Sequence, residues 1–161
     1  MKRVPILYNV IFPIWMAIFI PPFTLIPLLG NLLIDGSVIY LTLKRNGVVL
    51  DGGKLRKLIL QAWVMGFVVD LIGVGLLFLL NDVLYRFFAI EIDFFWVWKD
   101  PVSVIVLALI VAVCGTLIFM VNRWLARRAG VVEPAAFRVG LAMGIITAPY
   151  LFLVPTGYLM I

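Results

Sequence analysis

The feature that most restricts the fold of this chain is an apolar run at residues 4–43, forty residues without a basic side chain. A straight helix of that length would measure about 60 Å, twice the thickness of the hydrocarbon core of a membrane. The run must therefore break. The adjacent prolines Pro21 and Pro22 are the expected place, because they remove backbone donors and push the preceding residue out of helical geometry. The sequence predicts a proline-broken hairpin of two membrane-inserted helices, with a re-entrant first helix as the alternative.

The composition of the whole chain also indicates a membrane location. Hydrophobic residues make up 65% of the 161 residues and the mean hydropathy is +1.21, whereas soluble domains are about 45–50% apolar. Several apolar runs exceed the ~18 residues that mark a candidate membrane span. We therefore predict an integral membrane protein with a single transmembrane domain over residues 1–161.

Local signals place the ends of the later helices. Asp100-Pro101 and Glu133-Pro134 each put an acidic residue directly before a proline, which is typical of a helix N-terminus. Pro149 is expected to bend the last helix. The predicted fold is all-α, a polytopic transmembrane bundle of about five membrane-inserted helices at residues 5–20, 23–43, 58–80, 101–128 and 134–159.

Residues 83–99 connect two of these helices and are too polar to span the membrane. The segment is aromatic and mixed in charge, and Tyr85, Trp96 and Trp98 fit the belt of aromatic residues found at membrane interfaces. We predict that it lies on the membrane surface, helical in its first half and extended in its second half.

The distribution of cations predicts how the chain is threaded. Eleven of the thirteen Lys and Arg residues lie at 2–3, 44–57 and 123–138. Basic residues collect on the cytoplasmic side of membrane proteins. We therefore predict a multi-pass protein of a bacterial plasma membrane, with a cytoplasmic amino terminus and an external carboxyl terminus.

Three polar residues stand out inside the apolar runs: Asn31, Asp35 and Asp70. Asn31 and Asp35 are four residues apart and share one face of a helix. Lys44 and Lys57 mark the expected membrane boundary on the two helices. At about 1.5 Å per residue, Asn31 and Asp70 both lie about 20 Å from that boundary, and Asp35 lies about one turn closer to it. A short loop joins the helices, so we expect the three side chains to converge near the middle of the membrane.

These acids admit a functional and a structural interpretation. No Lys or Arg is available at the same depth, so the carboxyl groups must be protonated, share a proton, bind a cation, or hydrogen-bond to backbone or water. The functional interpretation is a proton- or cation-linked binding site formed by Asn31, Asp35 and Asp70. The structural interpretation is a neutral acid that bonds to a neighbouring helix, or Asp35 capping a helix break at residues 35–37.

The residue inventory excludes several classes of function. The chain has no histidine and one cysteine, Cys114, so it lacks the usual zinc, copper and haem ligand sets and the Ser–His and Cys–His catalytic pairs. We expect no metal and no cofactor, and we expect Cys114 to be an inert packing residue. Intramembrane aspartyl proteases also carry two aspartates on adjacent helices, but their Gly-x-Gly-Asp motif is absent. The net charge of +5 does not indicate nucleic-acid binding, because the cations sit at the ends of apolar runs.

A stripe of small residues recurs in the last predicted helix, where Gly140, Gly144 and Ala148 are each four residues apart. Such a stripe lets a second helix approach closely in a membrane. The expected partners are therefore the lipid bilayer and either other membrane subunits or a second copy of the chain packed on Gly140 and Gly144.

Three strings resemble a family of small bacterial multi-span membrane proteins: YNVIFPIW at residues 8–15, LLGNLLIDGSVIYL at 28–41 and TAPYLFLVPT at 147–156. That family has no assigned activity, so the resemblance implies the architecture and no reaction or ligand. We expect a non-enzymatic protein, either a small carrier or channel-like protein or an accessory membrane subunit, with a mid-membrane acidic site. The alternative is an intramembrane enzyme acting on lipid or peptide, which the missing histidines and the lack of a convincing nucleophile disfavour.

Overall fold

The computed structural model describes residues 25–94 and 96–155, and these residues contain helices and no β-strand. Three helical segments of this part of the chain are long and apolar enough to cross a membrane: Gly52–Phe88, Pro101–Arg128 and Glu133–Leu153. A helical bundle with three candidate membrane spans is therefore confirmed, and the predicted count of about five membrane-inserted helices stays a prediction. The predicted helix at 5–20 and the break at Pro21-Pro22 lie outside the described residues. The α-helices are α1 (Leu25–Arg45), α2 (Gly52–Phe88), α3 (Pro101–Arg128) and α4 (Glu133–Ile146), and short 3₁₀ helices lie at Val97–Lys99 and Tyr150–Leu153.

The four α-helices form a ring in which each packs mainly against two others. α1 lies against α2 and α4, and α3 lies against the same two helices. Apolar side chains such as Leu33 and Leu109 point outward, 70% and 60% exposed, as expected of surfaces that face lipid. The largest fully buried apolar side chains of the core are Ile39, Leu58, Leu77, Ile92, Leu107, Ile110, Val97, Val139 and Met143.

The predicted start of the helix at 58–80 was wrong, because α2 begins six residues earlier, at Gly52. Asp51 caps this end, and its carboxylate accepts a hydrogen bond from the Gly53 N–H at 3.0 Å. The first turns of α2 are basic and polar. A pattern of apolar residues therefore marks only the part of the helix that is buried in lipid or protein.

The far end of α2 also extends beyond its predicted boundary, to Phe88. Asp82 is accommodated inside the helix because it pairs with Arg86 one turn later, with a distance of 2.8 Å between the Arg86 Nε and the carboxylate. Ala89 then ends the helix in the left-handed conformation, with φ of 55°. The first half of residues 83–99 is helical as predicted, but it is the continuation of α2.

The second half of that segment folds over the end of the bundle. The side-chain oxygen of Asn81 accepts a hydrogen bond from the Ile92 N–H at 3.0 Å, and the Ser103 hydroxyl accepts one from the Asp93 N–H at 2.8 Å. Ile92 and Val97 are buried. The segment is therefore anchored to both α2 and α3, and its described residues form no strand.

α3 begins where the sequence predicts. The Asp100 carboxylate accepts hydrogen bonds from the Val102 and Ser103 N–H groups at 3.3 and 2.8 Å, and from the Ser103 hydroxyl. The Ser103 hydroxyl and the N–H groups hold the pKa of Asp100 below its usual value, because they stabilise the charged carboxylate. Pro101 occupies the first helical position, where its missing N–H costs nothing.

The last helix was predicted at 134–159, and this prediction was wrong about its end. α4 stops at Ile146, three residues before Pro149, which has no N–H to continue the helix. Two side chains add hydrogen bonds at this end: the Thr147 hydroxyl donates to Met143 O at 2.8 Å, beside the backbone bond from the Thr147 N–H, and the Tyr150 hydroxyl donates to Ile145 O at 2.5 Å. The expected bend is therefore a helix end followed by a short 3₁₀ helix.

The small-residue stripe of α4 faces α3 of the same chain. A Cβ atom added to Gly140 would lie 2.6 Å from the Phe119 carbonyl oxygen, and one added to Gly144 would lie 2.6 Å from the Gly115 carbonyl oxygen. The backbones of α3 and α4 are thus in contact along this stripe. Because α3 already covers these glycines, they are not available to a second copy of the chain. Self-association of the protein stays a prediction.

Candidate functional site

A polar cavity of about 240 Å³ lies between the four helices and is called the acidic cavity below. All three residues that the sequence analysis selected line it, and so do residues from every α-helix. The lining is Asn31, Ile34 and Asp35 of α1, Ala62, Trp63, Gly66 and Asp70 of α2, Ile118 and Asn122 of α3, Met143 and Ile146 of α4, and Thr147, Ala148 and Leu151 beyond it.

α1 presents Asn31 and Asp35 to the cavity from one face, since the helix is continuous from Leu25 to Arg45. Asp35 is 5% exposed, so its carboxyl group is turned away from lipid. Because α1 has no break at residues 35–37, the alternative that Asp35 caps such a break was wrong. The cost of burying this acid is thus not offset by a capping role.

α2 leaves room for the Asp35 carboxyl group at Gly66. A Cβ atom on Gly66 would lie 3.8 Å from the Asp35 Oδ2 atom, and no other non-neighbouring atom would be as near. Asp70 follows one turn later on the same face of α2. The two carboxyl groups therefore face the same space. Trp63 links α2 to α1 beside this space: its indole N–H donates a hydrogen bond to Leu28 O at 2.9 Å.

α3 contributes Asn122, which the sequence analysis did not select. Its side chain is 2% exposed, and its amide nitrogen donates to Ile118 O at 2.9 Å. Its Oδ1 atom is the one buried side-chain polar atom in the described part of the chain that has no hydrogen-bond partner. Buried polar atoms are almost always paired, so this oxygen is open to a hydrogen bond from a water molecule or a ligand in the cavity.

Among the described residues, no side chain compensates the charge of the two acids in the acidic cavity. Its described lining contains no Lys or Arg, and neither Asp35 nor Asp70 forms a hydrogen bond or ion pair with another described residue. Arg123, next to Asn122 in sequence, pairs with Glu133 outside the cavity. Two ionised carboxylates are too costly in such a place, so the cavity favours an added proton or cation.

The donor atoms of the cavity are oxygens from carboxyl and amide groups, the set that suits protons and hard cations. Among the described residues no group of three or more His, Cys, Asp or Glu side chains is placed to hold a metal ion. Cys114 is fully buried against α2, with its Sγ atom 3.9 Å from Val69 O, and it does not line the cavity.

Comparison of the chain with protein-family models, with curated proteins and with solved structures found no match. The resemblance to small bacterial membrane proteins therefore stays a prediction.

Proposed function

We propose that this protein is a non-enzymatic, multi-pass protein of the plasma membrane whose acidic cavity binds a proton or a small monovalent cation. The observation that carries the proposal is the convergence of Asp35, Asp70 and the unpaired oxygen of Asn122 in a cavity whose described lining has no basic residue. An acid inside a membrane is costly and is usually retained for a function.

The size of the cavity supports a small ligand. At about 240 Å³ it lies below the ~300 Å³ at which pockets for organic ligands begin. A bare monovalent cation fits such a space with oxygen ligands around it, and so does a proton shared between carboxyl groups. Both bring one positive charge to the two acids.

The proposal also includes the direction in which the chain crosses the membrane. The loop between α1 and α2 and the loop between α3 and α4 lie at one end of the bundle, where the Arg138 guanidinium donates to the Asn46 side-chain oxygen. The basic residues at 44–57 and 123–138 are therefore at the same end. We assign this end to the cytoplasm, which gives an external carboxyl terminus.

The test is the thermal unfolding of the purified protein in NaCl, KCl or choline chloride at equal ionic strength. A cation at ten times its Kd stabilises the protein by about 1.4 kcal/mol, which raises Tm by roughly 3–6 °C for a chain of this size. Asp35→Asn and Asp70→Asn should abolish the rise. Asp82→Asn is the matched control, because this carboxyl group is on α2 but exposed beside Arg86.

A proton in the cavity gives a different result. The Tm is then the same in all three salts, and proteoliposomes containing a pH-sensitive dye report proton uptake that both Asn variants abolish. Uptake by the protein alone identifies a carrier, and binding without uptake identifies an accessory subunit. A proton that is bound without uptake appears as a dependence of Tm on pH that the double variant Asp35→Asn/Asp70→Asn lacks. The proposal fails if this double variant matches the wild type in the salt, pH and uptake measurements.

A further inference from the structure

A second groove lies between α2 and α3 at the basic end of the bundle, away from the acidic cavity. Its volume is about 540 Å³, and it shares no lining residue with the acidic cavity. One face of α2 forms one wall of the groove, and α3 forms the opposite wall. Its lining is Gly53, Arg56, Lys57, Leu60, Gln61, Val64 and Met65 of α2 with Trp124 and Leu125 of α3.

The polarity of the groove changes along its length. Arg56 and Lys57 lie at one end, and Leu60, Val64 and Met65 continue from them in the direction of the bundle centre. From residue 53 to residue 65 the helix rises about 18 Å. This length accommodates a lipid headgroup and the first part of an acyl chain, and the change from charged to apolar falls where the membrane boundary is expected.

The cations of the groove are available to a ligand. Within the described chain neither Arg56 nor Lys57 forms a salt bridge, whereas Arg123 and Arg127 are both paired with Glu133. The Arg128 guanidinium adds a further positive charge, stacked 5.1 Å from the centre of the Trp124 ring.

The Asp51 carboxylate lies near the charged end of the groove and is used as the cap of α2, accepting from the Gly53 N–H. Arg56, Lys57 and Arg128 outnumber this one acid. The charged end of the groove is therefore positive and complements an anionic group.

We propose that this groove binds one phospholipid with an anionic headgroup. The phosphate lies between Arg56, Lys57 and the Arg128 guanidinium, and one acyl chain lies along Leu60 and Val64. A phospholipid fits better than a protein partner, because the apolar part of the groove is at the depth of the hydrocarbon core. The proposal is independent of the acidic cavity.

The test measures phosphatidylglycerol bound to the detergent-purified protein by native mass spectrometry, with phosphatidylcholine as the neutral lipid. Removing two cations, Arg56→Gln/Lys57→Gln, should weaken phosphatidylglycerol binding by roughly tenfold to thirtyfold. Lys44→Gln/Arg45→Gln is the matched control, because it removes the same charge from the same end of the bundle at α1. This control should bind like the wild type.

A second pair of variants tests the shape of the groove without changing charge. Val64→Trp fills the apolar part and should remove phosphatidylglycerol binding. Leu71→Trp adds the same side chain to α2 outside the groove, at a position of similar exposure, 57% against 51% for Val64. It should leave binding unchanged.

Three results would overturn the proposal. The first is an equal loss of binding in the Arg56/Lys57 and Lys44/Arg45 variants, which would mean attraction by general charge. The second is undiminished binding in Val64→Trp. The third is equal competition by glycerol 1-phosphate, which has the headgroup charge and no acyl chain.

Discussion

Asn122 is a buried amide whose nitrogen is hydrogen-bonded and whose oxygen is not. Its nitrogen bonds to Ile118 O within α3, and its oxygen has no partner among the described residues. Leaving one buried polar group unpaired costs about 1–3 kcal/mol. In the proposed function, the ligand of the acidic cavity supplies the missing partner of this oxygen.

Asn122→Leu separates stability from binding. Without an added cation we expect its free energy of unfolding to rise by about 1 kcal/mol, because the unpaired oxygen is removed. The increase of Tm with Na⁺ or K⁺ should be lost. The measurement is thermal unfolding in the same salts as above.

Thr116→Val is the control for this variant. Thr116 is also on α3 and also bonds to the carbonyl four residues before it, but it does not line the acidic cavity. Its response to cations should equal that of the wild type. An Asn122→Leu protein that keeps the full response would show that the amide oxygen is not a ligand.

The two aspartates of this site were selected from the sequence, whereas Asn122 was not. Asp35 and Asp70 are acids inside apolar runs, and counting residues from the nearest cations was enough to match their depths. Asn122 stands directly before Arg123, so the sequence alone indicates a polar helix end exposed to water at this position. Its burial depends on α1, α2 and α4 closing around it, which no local pattern reports.

At the scale of elements, the close contact of α3 and α4 depends on glycine. Gly140 faces the Phe119 carbonyl oxygen and the Arg123 backbone, with distances of 2.6 and 3.1 Å from an added Cβ atom. These neighbours are backbone atoms, so they move only if the helices move. Gly75 on α2 is the opposite case, because a Cβ atom there would meet nothing within 4 Å.

Gly140→Ala should therefore lower the free energy of unfolding by about 1–3 kcal/mol, the usual range for overpacking. Gly75→Ala is the matched control and should be neutral or raise it by up to about 1 kcal/mol, because alanine restricts the unfolded chain. Both are measured by thermal unfolding in one detergent. Equal effects of the two substitutions would contradict the backbone contact between α3 and α4.

Helix ends were the elements that the sequence predicted least well. The Asp100-Pro101 start of α3 was predicted, because its cap is local in sequence. The two ends of α2 were not, because the polar turns at 52–57 and the Asn81-Asp82 pair interrupt the apolar pattern although both are helical. Pro149 was expected to bend α4, and the side chains of Thr147 and Tyr150 instead complete its end.

At the scale of the molecule, the positions of the loops predict which residues are open to each side of the membrane. Val49 is 94% exposed in the loop between α1 and α2, and Glu91 is exposed in the loop after α2. In a Cys114→Ala background, Glu91→Cys should react with an impermeant thiol reagent in intact cells. Val49→Cys should react only after the cells are opened.

The Cys114→Ala protein without an added cysteine is the control for background labelling, since it has no thiol. Labelling of residue 49 from outside, with residue 91 protected, would reverse the threading. It would place the basic end of the bundle outside the cell.

α2 is an uninterrupted helix of 37 residues, which makes it about 55 Å long and nearly twice the thickness of the hydrocarbon core. Asp70 lies near the middle of this helix, and the segment after Ala89 is anchored at one end of it. One continuous helix therefore connects the acidic cavity to the loop at that end of the bundle.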